Sequence, residues 1–370
     1  MKTYIPGLLV LTLALLAGNS NGQRGQGCIT ANGGQGSCIP LANCEHLRTL
    51  PSQIQAGIAP LGSQLLLRRS ICHIGPREFL VCCGPTAPVQ PDPFSRGSSV
   101  SSCGIQGPIN KIVGGEAAPL RAWPWMVVLR GNIGGRSFWF CGGTLISSRF
   151  VLTAAHCFKK QLGVTLEFAR IGEHNLITER DCDQSGCSPP PQDIPVGRVI
   201  MHPDYGLQCA ECNDIALLKL SRDAVIDNLY VTPICLPEDP VRDMGYSVQQ
   251  FVGQVGSAAG WGTTARDPTV VRRPATLHEV DLPIHETPFC QALKGSYPNK
   301  DMVICAGGEG KDTCKGDSGG PLTLTNNKGT RHFIVGITSR GPLVCGSEDT
   351  QGLYTSVHHY LPWIQSTMRS

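Results

Sequence analysis

Three short segments of this chain carry the residue types that an alcohol needs to hydrolyse a peptide bond. Their sequences are TAAHC at 153–157, NDIALL at 213–218 and GDSGGP at 316–321. The chemistry requires a hydroxyl, a base that takes its proton, a carboxylate behind the base and donors for the oxyanion. Ser318, His156 and Asp214 could fill the first three roles, and the glycines beside Ser318 let the backbone aim N–H groups at one point. Each segment alone has an ordinary structural interpretation, but together they predict a hydrolase with a serine nucleophile.

The order His, Asp, Ser with these flanking sequences resembles the chymotrypsin-like serine proteases over essentially all of residues 112–370. The resemblance implies that Ser318 is the nucleophile, that His156 is the general base and then the acid, and that Asp214 fixes the imidazole tautomer. The oxyanion hole would consist of the N–H groups of Gly316 and Ser318. The implied fold class is all-β, a chymotrypsin-like double β-barrel with a short C-terminal helix.

The resemblance also indicates which side chain the substrate presents. Asp312 stands where the trypsin-like branch of the family has a carboxylate at the base of its primary pocket. Gly341 and Gly352 stand at the pocket walls, and Ser339 belongs to the same substrate-binding region. A carboxylate at the end of an open slot gains a partner only when a guanidinium or ammonium enters. We therefore expect cleavage after Arg or Lys.

Arg340 departs from the family pattern, which usually has Trp or another aromatic residue at this position, lining the subsites upstream of the scissile bond. Two interpretations are open. The subsites could prefer an acidic or polar residue, or the Arg340 side chain could point into solvent.

The segment NKIVGG at 110–115 resembles the activation junction of the family. Cleavage after Lys111 would free an α-amino group on Ile112, with a reference pKa of about 8. The resemblance implies that this ammonium turns inward and pairs with Asp317, which orders the pocket and the oxyanion hole. A basic residue at the junction implies an upstream activating protease with trypsin-like specificity.

Six cysteines lie between residues 28 and 83, in a segment too short to bury much apolar core unaided. Spacing alone leaves their connectivity open. The vicinal Cys82 and Cys83 resemble the end of the clip domain of arthropod extracellular proteases. That resemblance implies pairing of Cys28 with Cys82, of Cys38 with Cys72 and of Cys44 with Cys83. The predicted domains are a signal peptide at 1–22, a clip domain at 28–83, a linker and activation segment at 84–111, and a protease domain at 112–370.

The family resemblance also implies pairs in the protease domain: Cys141 with Cys157, Cys290 with Cys305, Cys314 with Cys345, and Cys103 with Cys235 across the activation cleavage. Four cysteines then remain, namely Cys182, Cys187, Cys209 and Cys212. Two local bridges are the simplest assignment, while crossed pairing and a zinc site are the alternatives.

A polar loop resembles the calcium loop of trypsin-like and clip proteases, and it contains Glu173, Asn175, Thr178 and Asp181. Hard oxygen ligands suit Ca²⁺, and the alternative is a solvated loop without an ion. No cofactor is required for the chemistry itself.

Composition and the N-terminus predict export. The run from Leu8 to Ala17 follows Lys2 and precedes small residues, which is the pattern of a secretory signal peptide and is too short to span a bilayer. Eighteen cysteines, an even number, fit disulfides formed in an oxidising compartment. The net charge of +3 in 370 residues gives no sign of a nucleic-acid partner. We expect a secreted, extracellular protein without a membrane span.

Short runs rich in Val, Ile, Leu and Phe predict strands at 126–129, 150–153 and 333–337, and the terminal segment 360–368 predicts a helix.

These features together predict a zymogen endopeptidase of an extracellular cascade, as in the arthropod enzymes that activate prophenoloxidase, clotting or Toll-pathway zymogens. The implied partners are a protein zymogen as substrate, the upstream activating protease, a serpin-type inhibitor and a cofactor bound by the clip domain. One alternative is a silent homologue acting as a binding cofactor, although such proteins usually lose the nucleophile that Ser318 supplies here. The other is a digestive trypsin, which would need neither a clip domain nor a disulfide that retains it.

Overall fold

A computed structural model divides the chain into two compact units, residues 1–97 and 98–370. The residues that the structure describes are 23–29, 35–44, 47–48, 50–55, 67, 70–74, 79–83, 103–107, 117–159, 163–264, 273–286, 297–308, 310–341, 345 and 351–369. The predicted signal peptide lies outside them, as do Lys111 and Ile112.

The first unit contains a small antiparallel sheet. Its described strands are β1 (Gly27–Ile29), β2 (Gln35–Pro40), β3 (Ile71–Ile74) and β4 (Phe79–Cys83), in the order β1-β2-β4-β3. A 3-10 turn (Leu41–Asn43) and the helix α1 (Leu50–Gln55) follow β2.

Three disulfides fix this sheet, and they join Cys28 to Cys82, Cys38 to Cys72 and Cys44 to Cys83, as the clip resemblance implies. Among the described residues, one small apolar cluster beside them contains Leu41, Cys44, Leu47, Leu50, Leu67 and Val81. The disulfides therefore supply much of the stability that a larger apolar core would supply in a longer domain.

The second unit begins with a seven-stranded antiparallel sheet in the order β11-β8-β5-β6-β7-β13-β12. Its strands are β5 (Met126–Ile133), β6 (Arg136–Leu145), β7 (Phe150–Thr153), β8 (Thr165–Ile171), β11 (Gln192–Ile194), β12 (Val196–Met201) and β13 (Ala216–Leu220). A two-stranded hairpin, β9 (Cys182–Asp183) with β10 (Gly186–Cys187), projects between β8 and β11. Because β12 also approaches β8, the sheet curls back on itself as a first barrel.

Six further strands form a closed antiparallel barrel in the order β14-β15-β16-β19-β18-β17. They are β14 (Val255–Gly260), β15 (His278–His285), β16 (Val303–Ala306), β17 (Pro321–Thr325), β18 (His332–Arg340) and β19 (Gly352–Ser356). Two α-helices accompany this barrel in the described residues, α2 (Pro240–Asp243) and the terminal α3 (Leu361–Met368). Short 3-10 turns lie at Ala155–Phe158, Val248–Phe251 and Lys300–Met302.

The predicted strands and terminal helix are confirmed. The runs at 126–129, 150–153 and 333–337 lie within β5, β7 and β18, and the predicted helix at 360–368 is α3. Apolar side chains of these strands point into the barrels, with Val127, Leu129 and Val151 fully buried. The fold is the double barrel that the resemblance implies.

Disulfides account for most of the remaining cysteines. They join Cys103 to Cys235, Cys141 to Cys157, Cys182 to Cys187, Cys209 to Cys212 and Cys314 to Cys345. The two local bridges are therefore formed, so these four cysteines offer no thiolates for zinc. Cys290 lies outside the described residues.

Within the part of the chain that the structure describes, none of the helices combines the length and the apolar character that crossing a membrane requires.

Candidate active site

Strand pairing in the first barrel brings His156 and Asp214 together. β7 and β13 are antiparallel neighbours, and Thr153 at the end of β7 pairs with Ala216 at the start of β13. His156 follows β7 in a 3-10 turn, and Asp214 precedes β13, so both residues emerge at the same edge of the sheet. The disulfide between Cys141 and Cys157 ties the turn to β6.

The carboxylate of Asp214 is completely buried and accepts three hydrogen bonds. The His156 backbone N–H donates to Oδ1 at 2.8 Å, and Nδ1 of the His156 ring lies 2.8 Å from Oδ2. The Ser339 hydroxyl donates to the same Oδ2 at 2.5 Å. Three donors offset the cost of burying the charge, and they direct Nε2 of His156 away from Asp214.

The backbone around Asp214 is also held from the second barrel and the terminal helix. Thr355 Oγ1 donates to the Asp214 carbonyl at 2.8 Å, and the Tyr360 hydroxyl donates to Asn213 Oδ1 at 3.0 Å. Asn213 has a φ of 57°, a left-handed conformation that asparagine tolerates better than most residues. These supporting contacts could not be recognised from the sequence.

Ser318 reaches this edge on a glycine-rich turn that packs directly against β6 and β7. The Gly142 N–H donates to the Ser318 carbonyl at 2.8 Å. Gly319 has a φ of 80°, and a Cβ there would lie 2.6 Å from the Gly142 carbonyl oxygen and would collide with Thr153 Oγ1. Only glycine permits this approach to the strand that leads to His156. The structure thus joins Ser318 to the histidine segment through the backbone. Among the described residues, no hydrogen bond joins the side chains of Ser318 and His156.

Two N–H groups beside Ser318 have no internal acceptor among the described residues. They belong to Gly316 and to Ser318 itself, the two residues predicted as the oxyanion hole. Gly316 has a φ of 112°, which is outside the range that side-chain-bearing residues normally adopt. The turn can therefore offer both donors to an oxygen atom outside it.

Asp317 points away from the hydroxyl and into the protein. Its Oδ1 accepts the Gly262 N–H at 2.7 Å and its Oδ2 accepts the Cys314 N–H at 2.8 Å. Burial raises the pKa of this carboxyl group, and the two hydrogen bonds act in the opposite direction. The nearby charge of Arg273 also lowers this pKa. A buried carboxylate whose hydrogen-bond donors are backbone N–H groups is a suitable receptor for an ammonium group.

Asp312 and the two predicted wall glycines lie together. A Cβ on Gly352 would be 2.9 Å from Asp312 Oδ1, and a Cβ on Gly341 would be 3.7 Å from Oδ2. A Cβ at position 352 would therefore crowd the carboxylate, whereas a Cβ at position 341 would make an ordinary contact with it. Tyr354, which is buried beside them and hydrogen-bonded to Thr313 at 2.9 Å, has its pKa raised by burial and then by the charge of Asp312.

Ser339 and Arg340 differ from the simplest expectation. The family resemblance places Ser339 in the substrate-binding region, and its hydroxyl is directed at Asp214. The Arg340 side chain is exposed and also paired, because its Nη1 lies 3.2 Å from Glu211 Oε1. In the sequence, Glu211 is distinguished only by its position between Cys209 and Cys212, shortly before Asp214.

The predicted calcium loop is closed by its own hydrogen bonds. Glu173 is buried, with Oε1 accepting the His174 N–H at 2.8 Å and Oε2 lying 3.2 Å from Arg170 Nη1. Burial raises the pKa of Glu173.

At the other end of the loop, Asp181 accepts bonds from the Thr178 hydroxyl at 2.6 Å and from the Asn175 N–H at 3.1 Å. The oxygen atoms of the loop suit Ca²⁺ as ligands. A bound Ca²⁺ would, however, share the Glu173 carboxylate with the guanidinium of Arg170. Calcium binding stays a prediction.

Two family models match the chain. The Trypsin model matches residues 112–364, and the model described as the regulatory CLIP domain of proteinases matches residues 28–83.

Full-length relatives and a solved structure agree with these matches. Phenoloxidase-activating factor 3 of Holotrichia diomphalia is 37% identical over 98% of this chain and 99% of the relative. The CLIP domain-containing serine protease HP8 of Bombyx mori is 34% identical over the full length of both chains. The crystal structure of the Drosophila Grass clip serine protease of the Toll pathway matches with a TM-score of 0.60 at 31% identity, covering 94% of this chain and 98% of that one. The chain therefore belongs to the trypsin family of serine proteases and carries a regulatory CLIP domain.

Proposed function

We propose that this protease is secreted as a zymogen and, after cleavage behind Lys111, cuts protein substrates after Arg or Lys. The observation that carries the specificity is the position of Asp312. Its two carboxylate oxygens lie beside Gly341 and Gly352, which carry no side chains. A guanidinium can pair with such a carboxylate through two hydrogen bonds.

The first half of the reaction follows from the orientation of His156. Nδ1 of His156 is hydrogen-bonded to Asp214. Nε2 is therefore the nitrogen that takes the hydroxyl proton of Ser318 as Oγ attacks the substrate carbonyl carbon. The C=O bond becomes a C–O⁻ single bond, and the N–H groups of Gly316 and Ser318 donate to that oxyanion. The buried Asp214 stabilises the imidazolium that forms.

The second half returns the proton and releases the acyl group. As the C–N bond breaks, Nε2 of His156 donates its proton to the leaving amine, and an acyl-enzyme remains on Ser318. A water molecule then repeats the sequence, giving its proton to His156 and its oxygen to the carbonyl carbon. As the bond between the carbonyl carbon and Ser318 Oγ breaks, Nε2 of His156 returns the proton to Oγ, and the product acid and the serine hydroxyl result.

Activation is proposed to act through Asp317. Cleavage after Lys111 would create an ammonium on Ile112, and the buried carboxylate of Asp317 lies next to Ser318 in the chain. Pairing the two would stabilise the turn that offers the N–H groups of Gly316 and Ser318.

A cascade role is supported by the relatives, whose names describe phenoloxidase-activating factors and Toll-pathway proteases. The substrate would then be another zymogen. The partners would be an upstream trypsin-like activator, a serpin-type inhibitor and a cofactor held by the clip domain. The compartment would be an extracellular, haemolymph-like fluid, which fits the disulfides.

The proposal is tested by expressing the full chain in a secreting cell and sequencing its N-terminus, which we expect at Gln23. The zymogen is then treated with a trypsin-like protease and assayed on peptide amides that differ only in the residue before the scissile bond. We expect activity on Arg and Lys peptides after treatment, and none with Ser318→Ala, apart from a small residual rate. A preference for Phe or Leu peptides would refute the pocket, and activation of a Lys111→Gln protein would refute the switch.

The cascade role needs a separate measurement. The activated enzyme is incubated with a panel of candidate zymogens, and each product is sequenced. If the enzyme cleaves its peptide substrates but cleaves none of these zymogens at an activation junction, the result favours a digestive role.

A further inference from the structure

An ion pair joins the two barrels at the edge of the candidate active site. Arg340 lies at the end of β18, and Glu211 lies in the loop that leads to β13, with 3.2 Å between Nη1 and Oε1. The residue before Arg340, Ser339, is hydrogen-bonded to Asp214. The residue after it, Gly341, lies beside Asp312. A peptide with its Arg or Lys side chain at Asp312 must therefore run alongside Arg340.

The two ends of this ion pair are held differently. Glu211 lies in a short loop closed by the disulfide between Cys209 and Cys212, and its side chain is 26% exposed. The Arg340 side chain extends from the end of β18 and is 55% exposed. The carboxylate is thus the fixed end, and the guanidinium is the end that solvent or a substrate can reach.

The surroundings of Glu211 carry negative potential that Arg340 offsets. Tyr297 and Tyr205 lie close by, and both have pKa values raised mainly by burial and further by the charges of Glu211 and Asp214. The charge of Arg340 acts in the opposite direction on Tyr297. Removing Arg340 would leave an acidic surface beside the bound peptide, whereas removing Glu211 would leave an unpaired guanidinium.

We propose that the Arg340–Glu211 pair makes this protease select uncharged side chains at substrate positions upstream of the scissile residue. A substrate carboxylate would have to displace Glu211 from Arg340, and a substrate cation would have to displace Arg340 from Glu211. Either exchange breaks one ion pair to form another, while the charged substrate side chain also loses hydration. An uncharged side chain avoids both costs. This inference rests on the proposed cleavage after Arg or Lys.

The test uses Arg340→Gln, Glu211→Gln and the double variant in the activated full-length protein. The substrates are Arg peptide amides carrying Asp, Asn or Lys at each of the three positions before the Arg. Relative kcat/KM values are compared within each protein, with active enzyme counted by titration with a small acylating reagent. Arg242→Gln is the matched control, because it removes another exposed arginine, one that pairs with Asp243 in α2.

We expect the Asn peptides to be preferred by the wild-type protein and by the Arg242→Gln control. Arg340→Gln should raise the Lys-to-Asp ratio at one or more upstream positions by about three- to tenfold, as expected for charges near the surface, and Glu211→Gln should lower it by a similar factor. The double variant should return the ratio towards that of the wild type, and 0.5 M salt should shrink all of these shifts.

Single variants that leave the ratio unchanged, or that shift it in the same direction, would overturn the inference. So would a wild-type preference for Asp or Lys over Asn. If the wild-type protein cleaves Arg peptides and only the ratios fail, the proposed function stands without the ion-pair selection. If it cleaves no Arg or Lys peptide, the proposed function itself fails.

Discussion

Protonation of His332 is expected to destabilise the second unit at mildly acidic pH. His332 is the first residue of β18, and its ring centroid lies 5.3 Å from that of Trp125 in the first barrel. Burial lowers the pKa of this imidazole from 6.5 to about 4. Between these two pKa values, the unfolded chain binds a proton at His332 and the folded protein does not.

The sign and size of the effect follow from linkage. As the pH falls from 6.5 towards 4, the unfolded chain binds a proton at His332 while the folded state does not, so the free energy of unfolding decreases. Each pH unit in this interval is worth about 1.4 kcal/mol, so the interval of about 2.5 units gives at most about 3.5 kcal/mol. Because the residue is only partly buried, we expect a loss of about 2 kcal/mol between pH 7.5 and pH 4.5.

The assay compares His332→Phe with the parent, both carrying Ser318→Ala to prevent self-cleavage. Phe keeps a ring against Trp125 and leaves the backbone bonds in place, but it does not titrate. Urea unfolding is followed by tryptophan fluorescence at both pH values, and all five tryptophans lie in the second unit. His174, His202 and His359 also have pKa values lowered by burial, so the difference between the two proteins isolates His332.

The parent should lose more stability than His332→Phe between the two pH values, by about 2 kcal/mol. Equal losses in the two proteins would refute the reasoning, because the pH dependence would then come from other groups.

Three further outcomes are expected. Asp312→Ser should lower kcat/KM for Arg and Lys peptides by about a hundredfold or more, since it leaves the substrate cation unpaired, while a small neutral reagent should acylate Ser318 at an unchanged rate; equal losses for both would point to misfolding instead. Ser339→Ala removes a hydrogen bond to a buried carboxylate, which is worth about 1.5 to 3 kcal/mol, and should lower kcat by about 10- to 100-fold with little change in KM; an unchanged kcat would contradict this role of Ser339. Millimolar calcium should raise the melting temperature relative to chelator if the loop at Glu173 binds it, by a free energy of RT ln(1 + [L]/Kd), and equal melting temperatures would favour the solvated loop.

The candidate site can be proposed from the sequence because each motif is short and local. The segment ending in His156 and the segment beginning with Asp214 could be recognised without the fold. The structure adds the reason for their meeting, the pairing of Thr153 with Ala216 at one sheet edge. It also explains the requirement for Gly319, whose contact partner lies on a distant strand.

Contacts between side chains far apart in the chain could not be predicted. Arg340 left two interpretations open because its partner depends on where the loop from Cys209 to Cys212 lies. That loop in turn depends on a disulfide for which the sequence offered local, crossed and metal-bound alternatives. The arginine beside Glu173 was missed for a related reason, since a loop pattern identifies oxygen donors but not the cation that already occupies one of them.

Residues 103–107 are held in the second unit by more than the disulfide between Cys103 and Cys235. The Gly104 N–H donates to the Pro233 carbonyl at 2.8 Å, and the Gly104 carbonyl accepts the His332 N–H at 2.8 Å. The Gly107 N–H donates to the Arg121 carbonyl at 3.3 Å. If the chain is cut after Lys111, this segment becomes a peptide ligand with its own dissociation constant. Reducing the disulfide under native conditions would then leave a noncovalent complex, in which the N-terminal fragment leaves on dilution or on denaturation.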